Sequence, residues 1–183
     1  QHLGPMLSKV DVRLVIKQRN KCLSEAEREA QSAFVLSRLA NHPRFKATQT
    51  VMLFSSLPDE VNTHAFIRKW AKTKRIVLPV VKGDDIMLRL FTSEEEMKTG
   101  AFGISEPTGL TFDKLDEIDL IIVPGMAFDK EGHRLGRGKG FYDRFLSQPN
   151  IMSTYKIGIC LPHQLLEAIP TEAHDITMNE VIG

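Results

Sequence analysis

The run Ile118-Asp-Leu-Ile-Ile-Val-Pro124-Gly125 constrains this chain more than any other stretch. A short, β-branched, unalternating segment suits a strand buried on both faces, as in a mainly parallel sheet flanked by helices. Farther on, Phe141-Tyr142-Asp143-Arg144-Phe145-Leu146 has helical apolar spacing, and between the two lies Gly136-Arg137-Gly138-Lys139-Gly140, where glycines alternate with cations. Glycines this close together are costly to order, so the chain must gain something there. Close approach to an anion is such a gain. Backbone N–H groups of Gly136, Gly138 and Gly140 can converge on phosphate oxygens, aided by the first turn of the following helix. Arg137 adds a planar fork and Lys139 a movable point charge, a combination suited to polyphosphate.

Known phosphate signatures do not fit. A Walker loop requires Gly where His133 stands and Ser or Thr where Gly140 stands. A dinucleotide fingerprint requires Gly at Phe141 or at Asp143, depending on where the count begins. The competing interpretation is a surface turn with solvated charges. A strand before the loop and a helix after it favour a ligand, because strand ends are where α/β sheets bind them.

Pro124-Gly125-Met126-Ala127-Phe128-Asp129 and Arg134-Leu135-Gly136-Arg137-Gly138-Lys139-Gly140-Phe141-Tyr142-Asp143 together resemble the signature of the 5-formyltetrahydrofolate cyclo-ligases, also called methenyltetrahydrofolate synthetases. The resemblance extends over nearly the whole chain. One departure is Phe141, where many relatives carry Tyr; the ring is kept and a hydroxyl lost. The resemblance implies a single α/β domain, mainly parallel and similar to the sugar-phosphate isomerase and CoA-transferase superfold. It also implies ATP-dependent conversion of 5-formyltetrahydrofolate to 5,10-methenyltetrahydrofolate, with Mg²⁺. Residue by residue, it places Lys9, Arg13 and the stretch Arg134, Leu135, Gly136, Arg137, Gly138, Lys139, Gly140, Phe141 and Tyr142 on the nucleotide. It places Ser55, Glu60, Phe102 and again Arg137 to Phe141 on the folate, and Asp143 and Asp175 on the metal. Arg137 and Lys139 are the expected catalytic pair. Chemically, a carboxylate suits the amino and ring N–H donors of a pterin, and an aromatic ring such as Phe102 can stack on it. Without the resemblance, Lys9 and Arg13 are a solvated basic pair and Asp175 is a turn residue.

Elsewhere, a helix is expected from Leu7 to about Leu23, with Leu7, Val10, Leu14 and Val15 on one face and Lys9, Arg13 and Lys17 on another. Ser24-Glu-Ala-Glu27 is a capping box opening a second helix to about Ala40, with Phe34, Leu36 and Leu39 in the core. Strands are expected over 50–54, 75–81, 86–91, 155–160 and 178–182. Thr63 should cap a helix carrying Phe66, Ile67 and Trp70. Glu94-Glu95-Glu96 suits the start of a short helix, 101–107 a loop and 164–169 a helical turn.

With 183 residues, 42% hydrophobic and 26% charged, the chain suits one globular domain, read as 6–183, with residues 1–5 read as a cloning remnant. A net charge of +1 argues against a dedicated nucleic-acid binder. Cys22 and Cys160 make no disulfide framework, which points to the cytoplasm, and no membrane span or signal peptide is apparent. The expected partner is a small molecule, 5-formyltetrahydrofolate with or without extra glutamates, acted on by a monomer. Two other functions stay open: a different ATP-dependent phosphotransferase using the same loop, and a non-catalytic RNA-binding relative.

Overall fold

A computed structural model describes residues 7–93, 97–100 and 105–183. In chain order the elements are α1 (Lys9–Lys21), α2 (Glu25–Ala40), α3 (Pro43–Ala47), β1 (Thr50–Met52), α4 (His64–Trp70), β2 (Arg75–Lys82), β3 (Asp85–Phe91), β4 (Met97–Thr99), β5 (Ser105–Pro107), β6 (Thr111–Phe112), β7 (Leu120–Val123), β8 (Ala127–Asp129), β9 (Arg134–Leu135), α5 (Phe141–Leu146), β10 (Tyr155–Ile159), β11 (Leu165–Leu166) and β12 (Glu180–Ile182). The main sheet has the order β12-β10-β7-β1-β2-β3-β6. Strands β12 to β2 run parallel, while β3 pairs antiparallel with β2 on one side and with β6 on the other.

This order follows from the sequence. Every residue of β7 is buried, as an unalternating apolar strand requires. The β2–β3 pair is joined by a tight turn whose Gly83 takes φ +63°, so that edge of the sheet is a hairpin. From β1 the chain works outward through β2, β3 and β6, then returns to lay β7 on the other side of β1 and continues outward to β10 and β12. The strand order therefore reverses between β1 and β7, and the crevice at their carboxyl ends is the place where such sheets hold ligands.

Helix faces correct two expectations. On α1 the buried residues are Val12 and Ile16, whereas Val10 is 62% and Leu14 58% exposed. Val12, Ile16, Lys9 and Arg13 share one side of the helix; the site lies under that side, so cationic and apolar contacts point the same way. Val12 and Ile16 pack on Met126, Leu135, Leu166 and Ile169. On α2 the buried stripe is Arg28, Ser32, Val35, Leu36 and Leu39, which leaves Phe34 about a hundred degrees away and 66% exposed. The Ser24 capping box forms as expected.

Thr63 stands at the N-cap of α4 without capping it, since its hydroxyl donates to the Phe54 carbonyl at 2.6 Å and accepts from Ser56 N–H at 3.2 Å. Asn62 Oδ1 accepts from His64 N–H instead. The helical turn expected over 164–169 is a 3₁₀ turn at Pro162–Gln164 followed by β11, because pairing with β8 at Phe128 and Asp129 claims Leu165 and Leu166. The expectations for Glu94 to Glu96 and for Phe102 lie outside the described residues.

β11, β8 and β9 form a small second sheet beside the main one. Phe128, fully buried in its middle strand, fits against Gly158 of β10; a Cβ there would overlap its ring. A Cβ on Gly125 would lie 2.9 Å from the same ring. Phe128 thus sits between two positions that have no side chain.

Candidate active site

The loop after β1, residues 53–63, is held down by neutral hydrogen bonds and one buried cation. Ser56 and Thr63 exchange bonds across it, Thr63 N–H reaching Ser56 Oγ at 3.0 Å. Arg28, from the buried side of α2, donates through Nε to the Glu60 carbonyl at 2.8 Å and through Nη2 to that of Leu57 at 3.0 Å. Glu60 is thereby turned inward, where Oε1 accepts from Leu57 N–H at 2.8 Å and the residue is 7% exposed. Burial raises its pKa, against the pull of Arg137. Beside it Ser55 is buried, and its hydroxyl has no hydrogen-bond partner among the described residues. A buried orphan of this kind calls for a ligand to complete it.

The second loop runs from β9 into α5. Gly138 and Gly140 take φ +103° and +72°, which side chains disfavour, so these two carry the backbone reversal. Gly136 has another reason: a Cβ would come within 3.1 Å of the Arg134 guanidinium, and its carbonyl accepts from Arg13 Nε at 2.8 Å. α5 is six residues long, so its dipole adds little to the loop's own amides. Lys139 is exposed, and its carbonyl accepts from Arg144 Nη1. Phe141 and Tyr142 are half-buried, Phe141 under Arg144 at 5.5 Å and Tyr142 under Arg134 at 4.9 Å. Burial pushes the Tyr142 hydroxyl up, out of reach of ionisation near neutrality. Leu135 is fully buried, leaving only its backbone to face the crevice, and its carbonyl is taken by Met126 N–H.

These two loops meet through Arg137. Its Nη2 donates to Asp59 Oδ1 at 2.6 Å and to Glu60 Oε2 at 3.2 Å, while Nη1 reaches Asp59 Oδ2 at 3.4 Å. Partial burial alone would lower the arginine's pKa, but Asp59 and Glu60 outweigh it and raise it. Below the crevice, buried Arg134 donates to the Pro124 carbonyl at 2.6 Å. Desolvation lowers its pKa, while Asp143, Tyr142, Glu60 and Asp175 oppose that. The Arg134 charge is thereby set against the carboxylates of Asp143, Glu60 and Asp175 and offsets part of their mutual repulsion.

On the α1 side, Lys9 Nζ lies 2.7 and 2.9 Å from the Asp175 carboxylate and 2.9 Å from Glu172. Burial works against the lysine charge and against the aspartate charge, yet the pair overcomes it: Lys9 is shifted up and Asp175 down. Asp143 Oδ1 accepts from Ile176 N–H at 3.2 Å, so the two aspartates named from the sequence are brought to neighbouring backbone. Among the described residues Glu172, His174 and Asp175 offer ligand atoms all within 4.8 Å of one another. His133 is occupied with buried Asp129, 2.9 Å away, in the turn between β8 and β9.

The structure therefore gathers Lys9, Arg13, Ser55, Glu60, Arg134, Gly136 to Asp143 and Asp175 at one edge of the sheet. Arg28, Asp59 and Asn20 were not singled out from the sequence. Their contacts span tens of residues, and the one hint is that Asp59 adjoins Glu60.

A sequence profile of the 5-formyltetrahydrofolate cyclo-ligase family matches residues 5–183. The mouse 5-formyltetrahydrofolate cyclo-ligase is 32% identical over 96% of this chain and 93% of its own. The protein of that name from Escherichia coli K12 is 30% identical over 92% of this chain and 96% of its own. Among solved structures, the Aquifex aeolicus 5,10-methenyltetrahydrofolate synthetase superposes with a TM-score of 0.85 at 36% identity, covering 96% of this chain and 89% of that one. The synthetase from Mycoplasma pneumoniae gives 0.77 at 26% identity, over 96% and 98%. Agreement of that extent, in sequence and in backbone, makes this chain a member of the 5-formyltetrahydrofolate cyclo-ligase family.

Proposed function

We propose that the protein uses ATP to close 5-formyltetrahydrofolate to 5,10-methenyltetrahydrofolate, releasing ADP and phosphate. One observation carries the reading beyond family membership: Arg137 of the glycine loop lies 3.2 Å from the buried carboxylate of Glu60. A cation for phosphate and an acceptor for pterin donors thus stand within one guanidinium of each other, as the reaction requires.

A formyl group on nitrogen is a weak electrophile, and its oxygen leaves poorly. Transfer of the γ-phosphoryl to that oxygen improves both. N10 of the same folate then forms a bond to the formyl carbon and loses its proton, and the carbon–oxygen bond breaks with departure of phosphate. The chain's task is alignment and charge neutralisation, so no covalent enzyme intermediate is needed. In this reading Glu60 and Ser55 hold the pterin, the Ser55 hydroxyl gaining the partner it lacks among the described residues, and Phe102 stacks on it. Gly136, Gly138 and Gly140 present backbone amides to the phosphates, while Leu135, Phe141 and Tyr142 form the wall. Arg137 and Lys139 neutralise the transferring phosphoryl; Lys9, Arg13 and Arg134 serve the nucleotide. Asp143 and Asp175 are hard oxygen donors on adjoining backbone and fit Mg²⁺, which takes one or two carboxylates beside phosphate oxygens and water. Mg²⁺ held there would offset phosphate charge. Residues 6–183 act as one unit, a monomer in the cytoplasm, a compartment in keeping with two free cysteines.

The test mixes protein, Mg-ATP and 5-formyltetrahydrofolate and follows the absorbance of the methenyl product. Product should accumulate only when all components are present. Equal ATP hydrolysis with and without folate would overturn the proposal.

A further inference from the structure

The catalytic arginine does not hold itself in place. Asp59 faces Arg137 with both carboxylate oxygens, at 2.6 Å to Nη2 and 3.4 Å to Nη1, an end-on pairing that fixes the guanidinium plane. Asp59 is anchored in turn. Asn20, near the end of α1, donates from Nδ2 to Asp59 Oδ2 at 3.3 Å, and its own Oδ1 accepts from Gln164 Nε2 at 3.1 Å and lies against His163 Nε2. Gln164 also donates to the Asp59 carbonyl at 2.8 Å. The exits of β1 and β10, the tail of α1 and the loop after β9 are therefore joined through these side chains, and Arg137 is the last link.

We propose that Asp59, anchored by Asn20, is a positioning residue that sets the orientation of Arg137 for phosphoryl transfer. The claim rests on the function proposed above. Arg137 is about one-third exposed and sits on a glycine-flanked loop, a setting in which a long side chain would sample many rotamers. Glu60 alone cannot fix it, because it offers a single oxygen at 3.2 Å, its other oxygen being held by Leu57 N–H. With Asp59 and Glu60 in place, Nε–H and one Nη1–H stay uncommitted among the described residues. Those are the donors left for a phosphoryl oxygen. Orienting them before substrate arrives removes an ordering cost from the transition state.

The experiment is a cycle on kcat, using Asp59→Asn and Arg137→Lys, singly and together. Asp59→Asn should lower kcat about 10-fold with little change in KM for ATP, and Arg137→Lys about 100-fold. The double variant should fall within about threefold of Arg137→Lys, because a residue acting through Arg137 has nothing left to orient once the fork is gone. Penalties that multiply, or an Asp59→Asn enzyme with wild-type kcat, would overturn the proposal. Should Asp59→Asn fail to fold, Asn20→Ser takes its place in the cycle, with an expected loss of about threefold that likewise vanishes beside Arg137→Lys. A wild-type protein making no methenyl product would sink the parent function instead. In that case the Arg137 Nη–H resonances decide: held by Asp59 and Glu60, they should be resolved and slow to rotate in the wild type and averaged in Asp59→Asn, and equal behaviour would refute the positioning itself.

Discussion

The two edges of the parallel sheet carry charges in contrasting ways. At the amino edge most charged groups lean on backbone, the Arg75–Glu117 pair at 2.7 Å being an exception. Asp119, just before β7, accepts from Gln49 N–H at 2.9 Å and Thr50 N–H at 3.0 Å, Lys74 donates to the Thr48 carbonyl at 2.7 Å, and Lys156 to those of Met152 and Thr154 at 2.8 Å. At the carboxyl edge ion pairs between side chains come to the fore, Arg137 on Asp59 and Glu60, Lys9 on Asp175 and Glu172, although Arg13 and Arg134 still lean on the carbonyls of Gly136 and Pro124. A backbone group cannot leave its place, whereas a side-chain partner can be exchanged for a phosphate, a pterin or a cation at little net cost. The first arrangement builds a fold; the second serves a reaction.

Substitutions at the two edges should therefore separate activity from stability. The largest effect is expected at the carboxyl edge: Lys139→Ala should lose about 10³-fold or more in turnover, as for removal of a phosphoryl-stabilising cation, with an unchanged melting temperature. Wild-type turnover would break the contrast. Arg28 sharpens it, since it lies at the carboxyl edge yet leans on the carbonyls of Leu57 and Glu60. Arg28→Met should cost about 2–3 kcal/mol in denaturant unfolding, because two carbonyls lose a charged donor, and should also raise KM for folate through Glu60. The smallest effect belongs to exposed Asp119, where Asp119→Ala should cost about 1 kcal/mol and leave kcat as it was. Partial burial raises the Asp119 pKa, but the N–H groups of Thr50 and Gln49 and the Thr48 hydroxyl outweigh it and lower it. Its contribution is thus full above the unfolded value near 4 and fades as the pH falls through the lower folded one. An acid titration of wild type and Asp119→Ala should show their stabilities converging in that range.

How much of this was legible in the sequence depended on how local the cause was. β7, the glycine loop, the short helix after it and the Ser24 capping box are each written in a few consecutive residues, and each forms as expected. The position of Glu60 at a strand exit was legible for the same reason. What α1 faces was not: apolar spacing pointed to Val10 and Leu14, while contacts from more than a hundred residues away turn Lys9 and Arg13 inward and take Val12 and Ile16 with them. β8, β9 and β11 are two or three residues long, too short for any periodicity to register. Asp59 was hidden because its meaning lies in Asn20 and Arg137, neither of them near it in the chain.

Phe128, in contact with both Gly125 and Gly158, works as a gauge block for the edge that carries the candidate site. Its ring is where the small sheet meets β10 of the large one, and the glycine loop leaves from β9 of that small sheet. A single methyl group added to either glycine would disturb that contact and detune the enzyme while every ligand-binding side chain kept its identity.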